Sequence, residues 1–404
     1  MPRGLSLTVV LGALCGLSNS YLAAQIYVAV PLGTLGGASA TANGVNDAGM
    51  VVGVATTSHA TEHAFVWQAG VMTDLGTLPG HVSSQAYSIS NTGLIVGESQ
   101  NANLDESAVI WRRDATGSWQ IEDLGTLGGV EAIAWRVSDS GFVAGYADSD
   151  SSLHHPFLWN AGEMFDLFAL GALSNLYGDA TGVNRFGQCV GLTFSSAIGP
   201  ARGFYYDGLN ITDITPSGAN VDCQPQAINS NVEIAGHLRA DITGGAKRAA
   251  IFRFASGWEI LPPLPGDNSN YGYDINDAGV VVGISYRHFP VIFHGFVYAH
   301  GAVTDLNAVT SGAPAPIVEA WDVSENGYIA ANADNGQITF ALLLRPSNLG
   351  CLGDLTGDLR VNEADLGVLL QGWNQSADGD LNGDGRTDES DLGILMQNWM
   401  NVCP

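Results

Sequence analysis

Ala64-Phe65-Val66-Trp67, a turn at Gly70, then Thr73-Asp74-Leu75-Gly76-Thr77-Leu78-Pro79-Gly80: this stretch decides how the chain folds, because its second half returns. Leu32-Gly33-Thr34-Leu35-Gly36-Gly37 and Asp123-Leu124-Gly125-Thr126-Leu127-Gly128-Gly129 are near copies. Looser ones stand at Asp166-Leu167, Asp213-Ile214, Leu261 and Asp305-Leu306. The markers Leu32, Leu75, Leu124, Leu167, Ile214, Leu261 and Leu306 are 43, 49, 43, 47, 47 and 45 residues apart. Such a period marks a repeat architecture, in which each unit buries its apolar face against the next.

A second phrase, Ala-x-x-Ile-Asn-x-x-Gly-x-Val-Val-Gly, recurs once per period. It runs from Ala42, Ala86, Ala134, Ala180, Ala227, Tyr273 and Trp321 to Gly53, Gly97, Gly145, Gly191, Gly236, Gly283 and Ala331. Asn46-Asp47-Ala48-Gly49 between two β-branched runs reads as a hairpin turn. The fifth copy reads one residue short, with Asn231 at the turn glycine, and Asn tolerates positive φ. A third strand covers Ala64–Trp67, Ala108–Trp111, Pro156–Trp159, Gly203–Tyr206, Ala250–Arg253, Gly295–Tyr298 and Thr339–Leu342. The fourth ends in the Asp-Leu-Gly phrase. Each unit is therefore four short antiparallel strands, and radial repetition of such blades makes an all-β propeller. The last unit stops after its third strand, near Pro346, while the segment Ile26–Gly33 is a fourth strand without a blade. Joining the two closes a seven-bladed ring and removes an exposed sheet edge.

The chain has 404 residues, 14 basic against 40 acidic, for a net charge of −26. That balance excludes nucleic acid as a partner, since phosphate neutralisation needs clustered Lys and Arg. Residues 1–24 read as a signal peptide: Arg3, an apolar run from Leu5 to Leu17, then small residues at Ser18, Ser20, Ala23 and Ala24. The run is too short to span a bilayer, so a secreted or cell-surface chain with no membrane span after signal removal is expected. Cys15 leaves with the signal. Cys189, Cys223, Cys351 and Cys403 remain, an even number that allows disulfides without fixing their pairing.

Residues 25–346 resemble the extracellular HAF repeat, named for the triplet that stands here as His63-Ala64-Phe65, with variants at His155-Pro156-Phe157 and His294-Gly295-Phe296. Ser107, Arg202 and Ala249 replace the histidine in other copies. The resemblance implies an exported propeller-like domain and no particular chemistry.

From residue 347 to 404 the character changes, and residues 351 to 404 hold ten carboxylates against Arg360 and Arg386. One loop offers Asp354, Thr356, Asp358, Arg360 through its carbonyl, Asn362 and Asp365; the second offers Asp380, Asn382, Asp384, Arg386 through its carbonyl, Asp388 and Asp391. Oxygen donors at these offsets supply the shell that Ca2+ needs. Two sites are expected, the first weaker, because Leu359 stands where the second loop has Gly385 and a sharp turn favours glycine. Leu366, Leu369, Leu370 and Trp373 recur as Leu392, Leu395, Met396 and Trp399, which predicts one apolar helical stripe per half, both buried where the halves meet. The segment looks like a type I dockerin, an EF-hand-like docking module. That resemblance implies a cohesin-like or cell-envelope protein as partner, though Glu363-Ala364 and Glu389-Ser390 depart from the familiar Ser-Thr pair that selects it. It also implies that the two ends lie close, so that Cys351 and Cys403 can form a staple.

Repeated residues read as structural. Trp67, Trp111 and Trp159 are expected to pack between blades; His63, His155 and His294 to make local turn contacts; Asp74, Asp123, Asp166, Asp213 and Asp305 to bond turn backbone. Ligand chemistry is expected instead on the irregular loops between strands two and three and between blades. These hold Glu62, Glu98, Asp105, Glu106, Asp148, Asp150, Asp241 and Asp267, with Tyr87, Tyr177, Tyr271 and Trp321 as candidate lining aromatics. No nucleophile elbow, zinc-protease or phosphate-loop motif is present. The sequence therefore points to a secreted calcium-binding scaffold with a docking module. The alternative is a polysaccharide hydrolase or lyase carrying a dockerin, and polysaccharide is the candidate ligand of the propeller face. A third reading makes the C-terminal segment a calcium-stapled cap on the ring.

Overall fold

The computed structural model describes residues 25–151, 153–171, 177–195, 199–218, 220–239, 245–347, 353, 355, 360–373, 379, 381 and 386–400. Seven antiparallel sheets are arranged as blades. Blade 1 is Gly36–Val45, Val51–Thr57, Glu62–Gln68 and Val71–Asp74. Blade 2 is His81–Ile89, Ile95–Asn101, Glu106–Arg113 and Trp119–Asp123. Blade 3 is Gly128–Val137, Val143–Ser149, His154–Asn160 and Glu163–Asp166. Blade 4 is Tyr177–Val183, Cys189–Phe194, Arg202–Tyr206 and Ile211–Asp213. Blade 5 is Asp222–Ile228, Ile234–Arg239, Arg248–Arg253 and Gly257–Ile260. Blade 6 is Ser269–Ile275, Val281–His288, Val291–Ala299 and Ala302–Asp305. Blade 7 takes Ile317–Val323, Ile329–Asp334 and Thr339–Ser347 from the end of the ring and Ile26–Pro31 from its beginning.

That last pairing closes the wheel. Ile26 faces Ser347 and Pro31 faces Leu342, antiparallel throughout. Thr310–Ser311 adds a short parallel edge against Tyr27 and Val28, an addition the repeat pattern does not announce.

The seven markers Leu32, Leu75, Leu124, Leu167, Ile214, Leu261 and Leu306 are all buried, each in a different apolar layer between neighbouring blades. One layer joins Val52, Ala64 and Val66 of blade 1 to Ala86, Ile95 and Trp111 of blade 2. Trp67, Trp111 and Trp159 sit in such layers, and the Trp111 Nε1 donates to the Leu75 carbonyl at 3.1 Å. The period is thus the length of chain needed to complete one interface.

Every first strand carries a bulge one residue after the position opposite the end of the Val-Val-Gly phrase, a glycine in six blades and Ala331 in blade 7. The carbonyl two residues before the bulged one lies against that glycine. A Cβ on Gly97 would lie 1.9 Å from the Gln85 oxygen, and one on Gly145 2.0 Å from the Ile133 oxygen. The register also corrects three sequence assignments. Pro225 faces Gly236, as Ala42 faces Gly53, so the fifth copy is full length and begins at Pro225 rather than Ala227. Gly272 and Ala320 take the same place in blades 6 and 7, and Tyr273 and Trp321 are the bulged residues. The turn position in blade 5 is consequently Val232, not Asn231. Val232 has φ +60°, where the other blades have glycine, and a β-branched residue is strained there.

Cys189 and Cys223 are buried free thiols, so the neighbouring-blade pairing left open by the sequence is not made. Burial pushes the Cys223 thiol up to about 12. Cys351 and Cys403 lie outside the described residues. No helix among the described residues is long and apolar enough to cross a membrane.

Beyond the ring, Glu363–Gln371 and Glu389–Gln397 are helices that pack through Leu369 and Leu395, both fully buried, with Val361, Leu366, Trp373, Leu392 and Trp399 around them. Leu370 and Met396 depart from the expected stripe. They are 54% and 44% exposed, because residues one apart point away from each other on a helix.

Candidate functional site

The antiparallel blades give the ring two chemically different ends. One carries the turns between strands one and two and between strands three and four. The other carries the loops between strands two and three and the blade-to-blade connections.

At the turn end, side chains tie each blade to the next. Asn46 Nδ2 donates to the Ser90 carbonyl, Asn184 to Asn229, Asn229 to Asn276 and Asn276 to Ser324, at 3.0–3.1 Å. One residue later, Asn91 Oδ1 accepts from Asp47 N, Asp139 Oδ1 from Asn91 N, and Asp47 Oδ1 from Asn326 N, which links blade 7 to blade 1. Inside this belt lies a cavity of about 180 Å³ lined by all seven blades. Arg136 reaches across it from blade 3. Its guanidinium contacts Asp322 at 2.9 Å, Asp274 at 3.6 Å and the Tyr273 carbonyl at 3.3 Å. The carboxylates also accept from Val45 N and Val323 N, at 2.7 and 2.9 Å. Burial, and then the Asp322 charge, push Asp274 up, while Arg136 pulls it down. This is a fully bonded strut.

The repeated polar residues are structural as well. His63 Nδ1 meets Asp74 and His155 Nδ1 meets Asp166, each at 2.9 Å, and Arg202 pairs with Asp213 in the equivalent place. His294 turns instead to Asp267, at 2.9 Å. Asp74, Asp123, Asp166, Asp213 and Asp305 each accept from the backbone N–H two residues on, at 2.7–2.9 Å.

The loop end is irregular, and blades 2 to 4 concentrate its chemistry. A chain of rings runs Tyr87, Trp135, Tyr146, His154, Tyr177, half-buried except for the buried Tyr146, with centroid separations of 4.7, 6.3, 4.3 and 6.3 Å. Five carboxylates accompany it: Glu98, Glu106, Glu131, Asp148 and Asp179. Burial pushes Glu98 up to about 7; the Glu106 charge adds to this, and a hydrogen bond from Tyr87 opposes it. Burial likewise raises Asp179 to about 6 against the opposing pull of His154. Tyr146 donates to Glu106 at 3.0 Å. Opposite, in blades 5 and 6, acids meet bases: Arg239 pairs with Asp222 at 3.2 Å, and the Lys247 ammonium lies 5.1 Å from the Tyr271 ring centre. Burial holds His237 down at about 3, hence neutral. Tyr273 and Trp321 stack at 4.4 Å.

Of the loop carboxylates picked out by sequence, Glu98, Glu106 and Asp148 come together here. Asp105 accepts from Asn101 Nδ2 at 2.9 Å, Asp267 holds Ser285 and His294, Glu62 and Asp150 are exposed, and Asp241 lies outside the described residues. Glu131, Trp135, Tyr146, His154 and Asp179 were not picked out. Aligning the blades by register rather than by residue type brings them forward, because the same places hold different chemistry elsewhere.

In the C-terminal pair, Asp354, Thr356, Asp358, Asp380, Asn382 and Asp384 lie outside the described residues. Asp365 and Asp391 are fully buried in matching settings. Their Oδ1 atoms accept from Leu355 N and Leu381 N at 2.7 Å, and their Oδ2 atoms from Asn362 N and Asp388 N at 2.8 and 2.9 Å. Asn362 and Asp388 are also the helix N-caps, so each half begins with a capping box. Arg360 and Arg386 precede these caps by two residues.

No model of a known protein family matches the chain, and no curated protein does. Solved propellers do. The β-propeller domain of the Trilobed protease from Pyrococcus furiosus, described as having an open velcro topology, superposes with a TM-score of 0.50 at 11% identity, over 76% of this chain and 95% of that one. Pyrococcus horikoshii acylaminoacyl peptidase gives 0.48 at 10% identity, over 77% and 52%. Putative TolB from Agrobacterium tumefaciens gives 0.43 at 14% identity, over 69% and 95%. At these identities the likeness is one of fold.

Proposed function

We propose that the chain is a secreted β-propeller binding protein whose loop end takes a ligand and whose C-terminal loop–helix pair binds two Ca2+ ions and docks to a protein of the cell envelope or of cohesin type. The observation that carries the first part is the contrast between the ends of the ring. The turn end spends its polar groups on the ring itself, while the loop end of blades 2 to 4 gathers aromatic rings and carboxylates that the frame does not require. Half-buried aromatics beside hydrogen-bonding carboxylates suit the apolar faces and hydroxyls of a polysaccharide. The full chain is tested on an array of soluble polysaccharides. Trp135→Ala is expected to weaken binding about tenfold or more, the effect of removing a central aromatic anchor. Binding that is unchanged by Trp135→Ala and by Tyr146→Phe would place the ligand elsewhere.

The duplicated settings of Asp365 and Asp391 support the second part. An all-oxygen donor set fits Ca2+, and the backbone N–H bonds hold each carboxylate toward its loop. Leu370 and Met396, equivalent and exposed, offer an apolar contact on each half. Calcium titration of the full chain followed by calorimetry is expected to give two steps. Asp384→Ala should abolish the tighter one, and capture of the partner from a cell-envelope fraction should be lost in EDTA.

A further inference from the structure

We propose that Glu131, Asp148 and His154 at the loop end of blade 3 form a site for a divalent transition metal ion, with Zn2+ or Mn2+ as the class of occupant. One ligand atom from each, including an imidazole nitrogen, lies within 4.8 Å of the other two. Asp148 Oδ1 and His154 Nε2 are already 3.4 Å apart. Two ligands about 2.1 Å from a tetrahedral ion stand roughly 3.4 Å apart, so this edge needs no rearrangement.

An independent observation points to an ion. Asp148 is only 6% exposed, yet its Oδ1 accepts no hydrogen bond among the described residues and faces His154. A buried carboxylate oxygen without a donor is costly, and a cation answers it. The cross-strand register makes the same point by contrast. Asp148 stands opposite His154 at the strand-two and strand-three edge of blade 3, three residues from the Gly145–Phe157 pair. In blade 5 the pair is Gly236–Ala250, and three residues out lie Arg239 and Lys247. Glu131 precedes Ala134 by three residues, as Asp222 precedes Pro225. Blade 5 thus places one acid and two bases where blade 3 places two acids and an imidazole, and its Arg239 neutralises Asp222 at 3.2 Å. Among the described residues of blade 3 the matching places hold no Lys or Arg, only the His154 imidazole 3.4 Å from Asp148, and a bound dication shared by the two takes the place of that base.

The surroundings suit a metal. Tyr146 stacks flat on the His154 ring, at 4.3 Å and 2°, which fixes the plane of the ligand, and is itself held by Glu106. Such outer contacts orient metal ligands. An imidazole in the set favours a transition metal over Ca2+ or Mg2+. Glu131 and His154 are half-exposed, which leaves open positions for water or a ligand group.

The site stands apart from the C-terminal loops, and the test keeps them separate. The full chain is stripped with chelator, returned to millimolar Ca2+ to fill those loops, and titrated with Co2+ and Zn2+. One Co2+ per chain is expected, with visible absorption of a nitrogen-bearing site and displacement by Zn2+. His154→Gln and Asp148→Asn should each weaken it tenfold or more, while His63→Ala, at a histidine paired with Asp74, leaves it unchanged. Circular dichroism checks that the variants fold; His154→Gln, at a half-exposed position, is the arbiter if Asp148→Asn does not. Absence of Co2+ binding above Ca2+ competition, or equal binding by His154→Gln, overturns the proposal. Failure here leaves the polysaccharide arm intact, because Trp135 is read in metal-free buffer.

Discussion

The turn end and the loop end of the ring are built from the same strands, yet they treat polar groups in opposite ways. At the turn end, Asn46, Asn184, Asn229 and Asn276 bond the next blade, and Arg136 is bonded to two carboxylates and a carbonyl. At the loop end, His81 Nδ1, Asp148 Oδ1 and Arg239 Nε are buried without hydrogen bonds among the described residues, and Asp267 Oδ1 and Arg287 Nε, also without one, face each other only at ion-pair distance, 4.0 Å. The turn end is not free of such groups: Arg112 Nε and Arg345 Nε, on third strands close to their turns, also lack hydrogen bonds. The difference teaches where the fold is being held and where it is being left available. A short hairpin turn leaves no slack, so its polar groups must be met within the frame. A loop of free length tolerates groups that wait for something else.

The sharpest way to break this comparison is Arg136→Ala. It would leave Asp274 and Asp322, side by side on adjacent blades, without their shared cation, and removal of one partner from a buried ion pair costs about 3–5 kcal/mol. A denaturant melt should read that loss, and adding Asp274→Asn with Asp322→Asn should recover much of it. A loss below about 1 kcal/mol would mean that the strut is not closing the ring.

Glu98→Gln probes the other end with the opposite sign. The Glu98 carboxyl is raised to about 7, so its native form keeps a proton that the unfolded chain releases near its ordinary value. Its favourable contribution is complete below that ordinary value and disappears as pH rises through about 7. The variant should match the wild type at pH about 4 and exceed it by about 3 kcal/mol at pH about 8. Asp179, raised to about 6, adds a slope of the same sign. Equal stability of the two proteins at both pH values would show that Glu98 is not held in an unfavourable setting.

The smallest effect is expected at Val232→Asn. Asn accepts the left-handed conformation at less cost than valine, a gain of up to about 1 kcal/mol that lost packing around Val232 offsets in part. A small rise in melting temperature would identify the one turn where the belt is strained; a fall would show that packing outweighs the backbone there.

Much of this was legible in the chain itself. Period, strand order and the closure of Ile26–Pro31 onto Thr339–Ser347 follow from where the leucines recur and where a strand lacks a blade. The structural roles of Trp111, His63 and Asp74 follow from repetition, since a residue present in most blades serves what all blades share. Pro225 in place of alanine hid the start of the fifth copy, because the bulge preserves register and not residue type. The loop-end cluster was legible only in part: Glu106 and Asp148 stand at strand ends, where loop chemistry is sought, whereas Glu131 and Trp135 lie inside the strand Gly128–Val137 and look like frame residues.

Sequence alone therefore determined the number of blades, their strands and the ring closure, because these depend on local alternation and on phrases that recur every 43 to 49 residues. Tertiary structure alone decided that Arg136 meets Asp274 and Asp322, and that Asp148 faces His154 without a base such as Arg239 to answer it. The physical reason is distance along the chain. Arg136 and Asp322 are 186 residues apart, and only the closing of the wheel brings them across one cavity.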